Sequence, residues 1–156
     1  MSIIRNRTIV EDDFRTLGNE EPIAAGDIIL SLERFREQRE ALAGREGRIG
    51  VQVPNDVLAE DLLVELGDVD LIAIDFPIYR DGRGFSTARL LRRGGFQGEL
   101  RATGNVLRDQ IAFMERCGFD AYEVAEGKSL ERALEGFEDF SVTYQDAIGP
   151  RTSPRD

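Results

Sequence analysis

Two carboxylates and a guanidinium are placed where this sequence could do chemistry. Asp75, Arg101 and Glu123 each fall inside a strand-like run, as does Gln52; the four runs are Arg48–Val53, Asp70–Phe76, Glu99–Thr103 and Ala121–Val124. One alternate set in these runs is mostly apolar: Ile49/Val51/Val53, Ile72/Ile74/Phe76, Leu100/Ala102 and Tyr122/Val124. The other set carries the polar groups, with Glu99 and Thr103 beside Arg101. Successive side chains of a strand point to opposite faces, so the polar groups share one surface. Asp75 or Glu123 suits general acid/base work, provided burial or a like charge raises the pKa. Arg101 suits either a substrate clamp or an ion-pair ladder that fixes strand order, with Asp75 on the preceding strand and Glu123 on the next as its expected partners. A magnesium site built on Asp75 and Glu123 is disfavoured by Arg101 between them, and no metal is expected.

The segments that follow these strands add anion-binding groups. Asp75–Ser86 is a long loop entering a helix, in which Gly82 and Gly84 permit close backbone approach. Arg80 and Arg83 add charge there, and Ser86 with nearby amides can donate hydrogen bonds. Such a loop suits sulfite, sulfate, phosphate or carboxylate. Its spacing is that of neither a Walker loop nor a dinucleotide fingerprint. Arg101-Ala102-Thr103-Gly104-Asn105 is a second strand-to-helix turn, and Arg108 follows in the first turn after Asn105. The candidate ligand set is therefore Arg80, Arg83, Gly84, Ser86, Arg101, Asn105 and Arg108. A turn followed by a capped helix is the plainer reading of each loop. Cys117, next to Gly118 at the far end of its helix, reads as a buried, inert thiol.

Positioning these groups falls to a β/α alternation. A helix from Asn55 or Asp56 through Leu66 is expected, with Val57, Leu58, Leu62, Leu63 and Leu66 inward. Ser86 is read as the cap of Thr87–Arg93, Asn105 of Val106–Cys117 and Ser129 of Leu130–Phe140. Upstream, residues 1–17 read as a β-hairpin turning at Arg5-Asn6-Arg7, and Ser31 caps a helix Leu32–Leu42 that Gly44 ends. A last short strand, Ser141–Gln145, and a mobile tail, 150–156, complete a single α/β domain over 1–149 with its β/α core at 48–140. Four strand-then-helix repeats imply parallel strands and right-handed crossovers. A doubly wound sheet would bury both faces, and burying unpaired charge is costly. The polar strand faces therefore favour a half-(β/α) barrel or strongly curved sheet, half of the eight units that close a full barrel. Its inner face needs a lid, from the hairpin or a second subunit, and a homodimer is expected.

Composition removes whole classes of function. The 156 residues contain no histidine and one cysteine, which excludes imidazole catalysis, an intrachain disulfide and a self-contained cysteine-ligated cluster. No cofactor is identifiable. The net charge of −10 argues against nucleic acid as a general partner. No apolar run approaches the ~20 residues of a membrane span, and the N-terminus lacks a signal-peptide pattern, so a cytoplasmic location is expected. The charge is uneven: Arg80 to Arg116 holds eight arginines and four acids, a local +4 that leaves −14 for the rest.

Three stretches resemble one bacterial family, the domain of unknown function nine-three-four. They are Asp81–Arg92 (DGRGFSTARLLR), Gly98–Gln110 (GELRATGNVLRDQ) and Arg116–Asp120 (RCGFD). The family is often labelled an oxidoreductase involved in sulfite reduction, and its position matching Asn105 is usually acidic. The resemblance implies an accessory or small-anion-binding protein of assimilatory sulfite reduction, with sulfite reductase as partner and Arg80, Arg83, Arg101 and Arg108 holding an oxyanion or a partner carboxylate. The residues themselves leave open a half-barrel enzyme acting on a phosphorylated or carboxylated metabolite through Asp75 or Glu123. A reductase binding flavin between subunits is a third reading, which a colourless preparation that takes up no added flavin would remove.

Overall fold

A computed structural model describes residues 2–76, 82–125 and 128–138. Among these residues eight strands form one sheet: β1 (Ser2–Arg5), β2 (Thr8–Glu11), β3 (Arg15–Thr16), β4 (Ile28–Ser31), β5 (Ile49–Val53), β6 (Leu71–Phe76), β7 (Glu99–Gly104) and β8 (Ala121–Tyr122). The helices are α1 (Leu32–Glu37), α2 (Arg39–Leu42), α3 (Ala59–Leu66), α4 (Arg83–Arg93) and α5 (Arg108–Cys117), and residues 130–138 are also helical.

Strand order is β2-β1-β8-β7-β6-β5-β4-β3. From β4 to β8 the strands are parallel and sequential, so right-handed crossovers place every connecting helix on the same face. Helices α3, α4 and α5 accordingly pack in a row. The sheet curls into a half-barrel, and chain length shows how far. Strands β2 and β3 are its opposite edges, and seven gaps of ~4.8 Å would hold them roughly 34 Å apart if flat. Only Asp12, Asp13 and Phe14 separate Glu11 from Arg15, a reach of at most ~14 Å. This strap therefore crosses the open side of the curl.

The faces divide as the alternation requires. Val51, Val53, Ile72, Ile74, Leu100 and Ala102 face the helices within the main core, with Leu62, Leu66, Leu91 and Ile111 from the helices. On the inner face a small second cluster joins Phe14 of the strap to Ile29, Leu71 and Ala73. The chain's own strap thus supplies the lid expected of the hairpin or of a second subunit.

Several boundaries differ from expectation, each for a local reason. The hairpin ends at Glu11 and not at 17, and Asn6 and Arg7 take φ of 53° and 64° in its two-residue turn, the backbone that matches strand twist. Strand β4 is not expected from the pattern, because Ile28-Ile29-Leu30 is a short apolar run of the kind that periodicity leaves ambiguous. Ser31 does cap α1, its Oγ accepting from the Arg34 N–H at 3.2 Å, and Leu32, Phe35 and Leu42 are buried. The expected single helix nevertheless breaks at Gln38 (φ −112°, ψ 17°).

Helix α3 starts at Ala59, after Leu58 in extended backbone, so neither Asn55 nor Asp56 caps it and Leu58 is 60% exposed instead of inward. Helix α4 starts at Arg83, which places Ser86 inside it. Packing of Phe85 against Phe76 and Phe113, with both centroid distances 5.0 Å, holds that first turn despite Gly84. Helix α5 starts at Arg108 with Leu107 in the cap position, so Asn105 is no cap either. Gly118 ends α5 at φ 119°, a conformation open to glycine. Ser129 caps the helical stretch 130–138, accepting from the Arg132 N–H at 3.2 Å. Arg80, residues 139–140, the expected strand Ser141–Gln145 and the tail 150–156 lie outside the described residues.

Candidate functional site

Arg101 lies at the centre of the inner face. Register sets it between Ala73 of β6 and Ala121 of β8, two small residues that leave room for a long side chain. It is completely buried and held by carboxylates. Its terminal nitrogens donate to both oxygens of Asp12, at 2.8 and 3.0 Å, and Nε donates to Glu99 at 3.0 Å. Glu123 lies 3.8 Å from Nη1. Glu99 also accepts from Arg5 Nε at 2.9 Å, and the Arg101 guanidinium lies 5.8 Å from the centre of the Phe14 ring. Burial works against the Arg101 charge, but hydrogen bonds and attraction from Asp12 and Glu99 outweigh it and move the pKa up. Such a forked geometry suits guanidinium and not ammonium.

This arrangement answers the choice between clamp and ladder. Arg101 is an ion-pair centre, and its principal partner, Asp12, stands 89 residues away in sequence. Asp75 is not its partner: register puts Asp75 opposite Thr103, one row nearer the carboxyl ends of the strands. Asp12 was the residue missed. The only local sign of it was an acidic pair beside an aromatic, Asp12-Asp13-Phe14, immediately after the hairpin.

The next row is the mouth. Thr103 Oγ1 donates to Asp75 Oδ1 at 3.3 Å. Glu123 is level with Thr103, because it follows Tyr122 in register with Ala102 and its N–H donates to the Ala102 carbonyl at 2.8 Å. Two carboxylates thus flank one hydroxyl across β6, β7 and the end of β8. Gly104 closes the row at φ 84°, and a Cβ there would stand 2.8 Å from Asp75 Oδ1 and clash with the Phe76 carbonyl. The Asn105 N–H donates to that same carbonyl at 2.8 Å, so Asn105 serves the site through its backbone.

Burial pushes the Glu123 carboxyl up; Arg101 opposes the shift, and the charges of Asp12 and Asp75 add to it. A raised carboxyl binds a proton more tightly folded than unfolded. Its stabilising contribution is therefore complete below the ordinary value of 4.5 and is lost as pH rises through the folded value. Asp120 shifts in the same direction through burial, so a comparison with Glu123→Gln is needed to isolate Glu123. Thermal melts should show the variant gaining on the parent protein at neutral pH, with the gain shrinking as pH falls towards 4.5. A difference independent of pH would remove the raised pKa.

The remaining candidates disperse. Gly84 is buried in α4, where a Cβ would stand 2.8 Å from the Phe76 ring, so its missing side chain makes room for packing. Ser86 is exposed inside α4, and Arg83 is the first, exposed residue of that helix. Arg108 opens α5 but lies 3.3 Å from Glu135 of the 130–138 helix. Arg80 lies outside the described residues. Among the described residues the structure therefore brings together Asp75, Thr103, Glu123 and Arg101, while Arg101 and Arg108 pair with different carboxylates.

Among the described residues no three His, Cys, Asp or Glu side chains form a group that could hold a metal, and no helix is long and apolar enough to cross a membrane. Cys117 is buried; burial pushes its thiol up, against a hydrogen bond from Arg89 at 3.4 Å.

The chain matches no curated protein and no solved structure. The match that does exist spans residues 50–154 and takes in the Asp75–Thr103–Glu123 row, though not the strap: the chain belongs to the family described as bacterial protein of unknown function, DUF934.

Proposed function

We propose that the mouth row works as an acid/base site on a small phosphorylated or carboxylated metabolite, with Glu123 as the proton donor and Asp75 as the second carboxylate across the Thr103 hydroxyl. The observation that carries this reading is Glu123 itself. Burial raises its carboxyl above the ordinary value, against Arg101 and with the charges of Asp12 and Asp75 adding to the shift, and a raised carboxyl is what general acid catalysis requires. An anionic handle on the substrate fits the helix termini at this end. Helices α4 and α5 both begin here without a side-chain cap, so their first-turn N–H groups can serve an anion. The test is a thermal-shift screen of phosphorylated and carboxylated metabolites, followed by turnover assays on the hits. Asp75→Asn and Glu123→Gln should each lower turnover about 10²–10⁴-fold with native circular dichroism. Full activity in both variants sinks the reading, and loss of folding assigns the row a structural role.

A second reading rests on the three motif stretches, whose resemblance implies assimilatory sulfite reduction. Here the protein is a cytoplasmic accessory that binds a small oxyanion or docks onto sulfite reductase, using the basic stretch Arg80–Arg116. Arg101 is committed to Asp12 and Glu99, so in this reading the anion contacts come from the helix termini and from Arg80 and Arg83. Calorimetry with sulfite, sulfate and phosphate, with a pull-down against sulfite reductase, tests it. Failure of both sinks it.

A further inference from the structure

The convex face carries a feature that the mouth does not explain. Helix α3 (AEDLLVEL) has three acids and no base, and its neighbour α4 (RGFSTARLLRR) has four arginines and no acid. Leu63 of α3 lies against Gly94 at the end of α4, so the helices are in contact. Among the described residues no ion pair joins them, and neither Glu60 nor Arg93 has an ion-pair partner. Both are exposed. The same two helices also turn two apolar side chains to water: Val64 is 87% exposed and Leu90 46%. Glu60 and Val64 are four residues apart on α3, and Leu90 and Arg93 three apart on α4, so each pair shares one outward stripe. The third α3 acid, Glu65, is already held by Arg36 at 2.6 Å on the side facing α1.

We infer that this α3–α4 face is a self-complementary surface that binds a second copy of this chain. Its occupant follows from charge. A two-fold axis running along the groove between the helices lays each acidic α3 over the other copy's basic α4. A two-fold axis across the groove would set acid on acid and base on base. The first operator makes an isologous contact in which position 60 of each copy meets position 93 of the other. Val64 and Leu90 then lose their exposure within the same contact. The contact is on the helix side, so both mouths stay open, and the inference is independent of what the mouth does.

The experiment is sedimentation velocity on the full chain over a dilution series. A reversible dimer is expected, and its dissociation constant should rise about tenfold or more between ~20 mM and ~500 mM salt as the attraction between positions 60 and 93 is screened. Glu60→Arg and Arg93→Glu should each abolish the dimer. The double variant Glu60→Arg/Arg93→Glu should regenerate it, because the swapped charges meet again across the axis. Circular dichroism of each variant checks that these exposed substitutions leave the fold unchanged. A monomer at every concentration overturns the inference. So does a dimer indifferent to salt and to both single reversals, or natively folded single variants whose loss the double variant fails to repair.

Discussion

Arg101→Ala should cost about 3–5 kcal/mol of folding stability, the range for breaking a buried ion pair from one side. Among the described residues the completely buried guanidinium is the ion-pair partner of Asp12, and it shares Glu99 with Arg5. Its removal leaves the nearly buried Asp12 without that counter-charge and Glu99 with Arg5 alone, so the desolvation of Asp12 is then uncompensated. Arg101→Lys should recover only part of the loss, since one ammonium cannot reproduce a two-pronged contact with Asp12 and a third bond to Glu99. Asp12→Asn in the Arg101→Ala background should also recover part of it, because the stranded charge goes with the carboxylate. Urea unfolding of the four proteins measures these steps. A loss below ~1 kcal/mol for Arg101→Ala would mean that the network behaves as a surface pair and that the strap does not seal it.

Phe14→Ala should have a comparable effect, about 3–5 kcal/mol. Phe14 is 5% exposed and forms the strap's side of the inner cluster with Ile29, Leu71 and Ala73. Arg48 lies over the same ring, with its guanidinium 4.6 Å from the centroid. Truncation removes the only aromatic of that cluster and frees the segment that delivers Asp12 to Arg101. The two losses should therefore be non-additive, as expected for residues that share contacts. Phe14→Leu should retain much of the stability. If Phe14→Ala unfolds at nearly the parental urea concentration, the inner face does not depend on the strap.

These two residues also explain why the mouth is where it is. The strap and Arg101 occupy the inner face below the mouth, so the proposed chemistry is assigned to the row above them. There Asp75 and Glu123 flank Thr103 at the strand ends, the usual place for sites in parallel β/α folds. Burial raises the Glu123 pKa, Arg101 opposes the shift and Asp12 of the strap adds to it, so the interior network and the proposed acid are electrostatically coupled.

Local pattern was sufficient for the scaffold and for which face carries the polar groups. Alternation in Ile49–Val53, Leu71–Phe76 and Glu99–Gly104 is a property of neighbouring residues, and a strand's period of two admits a single division into faces. Repetition of strand and helix then implied parallel, sequential winding, and the polar inner set implied the curl. Helix starts were read less well. Gly84 and Ser86 have conformational preferences that the packing of Phe85 against Phe76 and Phe113 overrides, and those contacts join separate elements. Tertiary structure alone decided the partner of Arg101. The polar residues on adjacent strands pointed to Asp75, whereas register moved Asp75 one row up and the strap brought in Asp12 from the other end of the chain. A buried charge must find a counter-charge, which its own sequence position can announce, but which carboxylate arrives depends on how far the sheet bends.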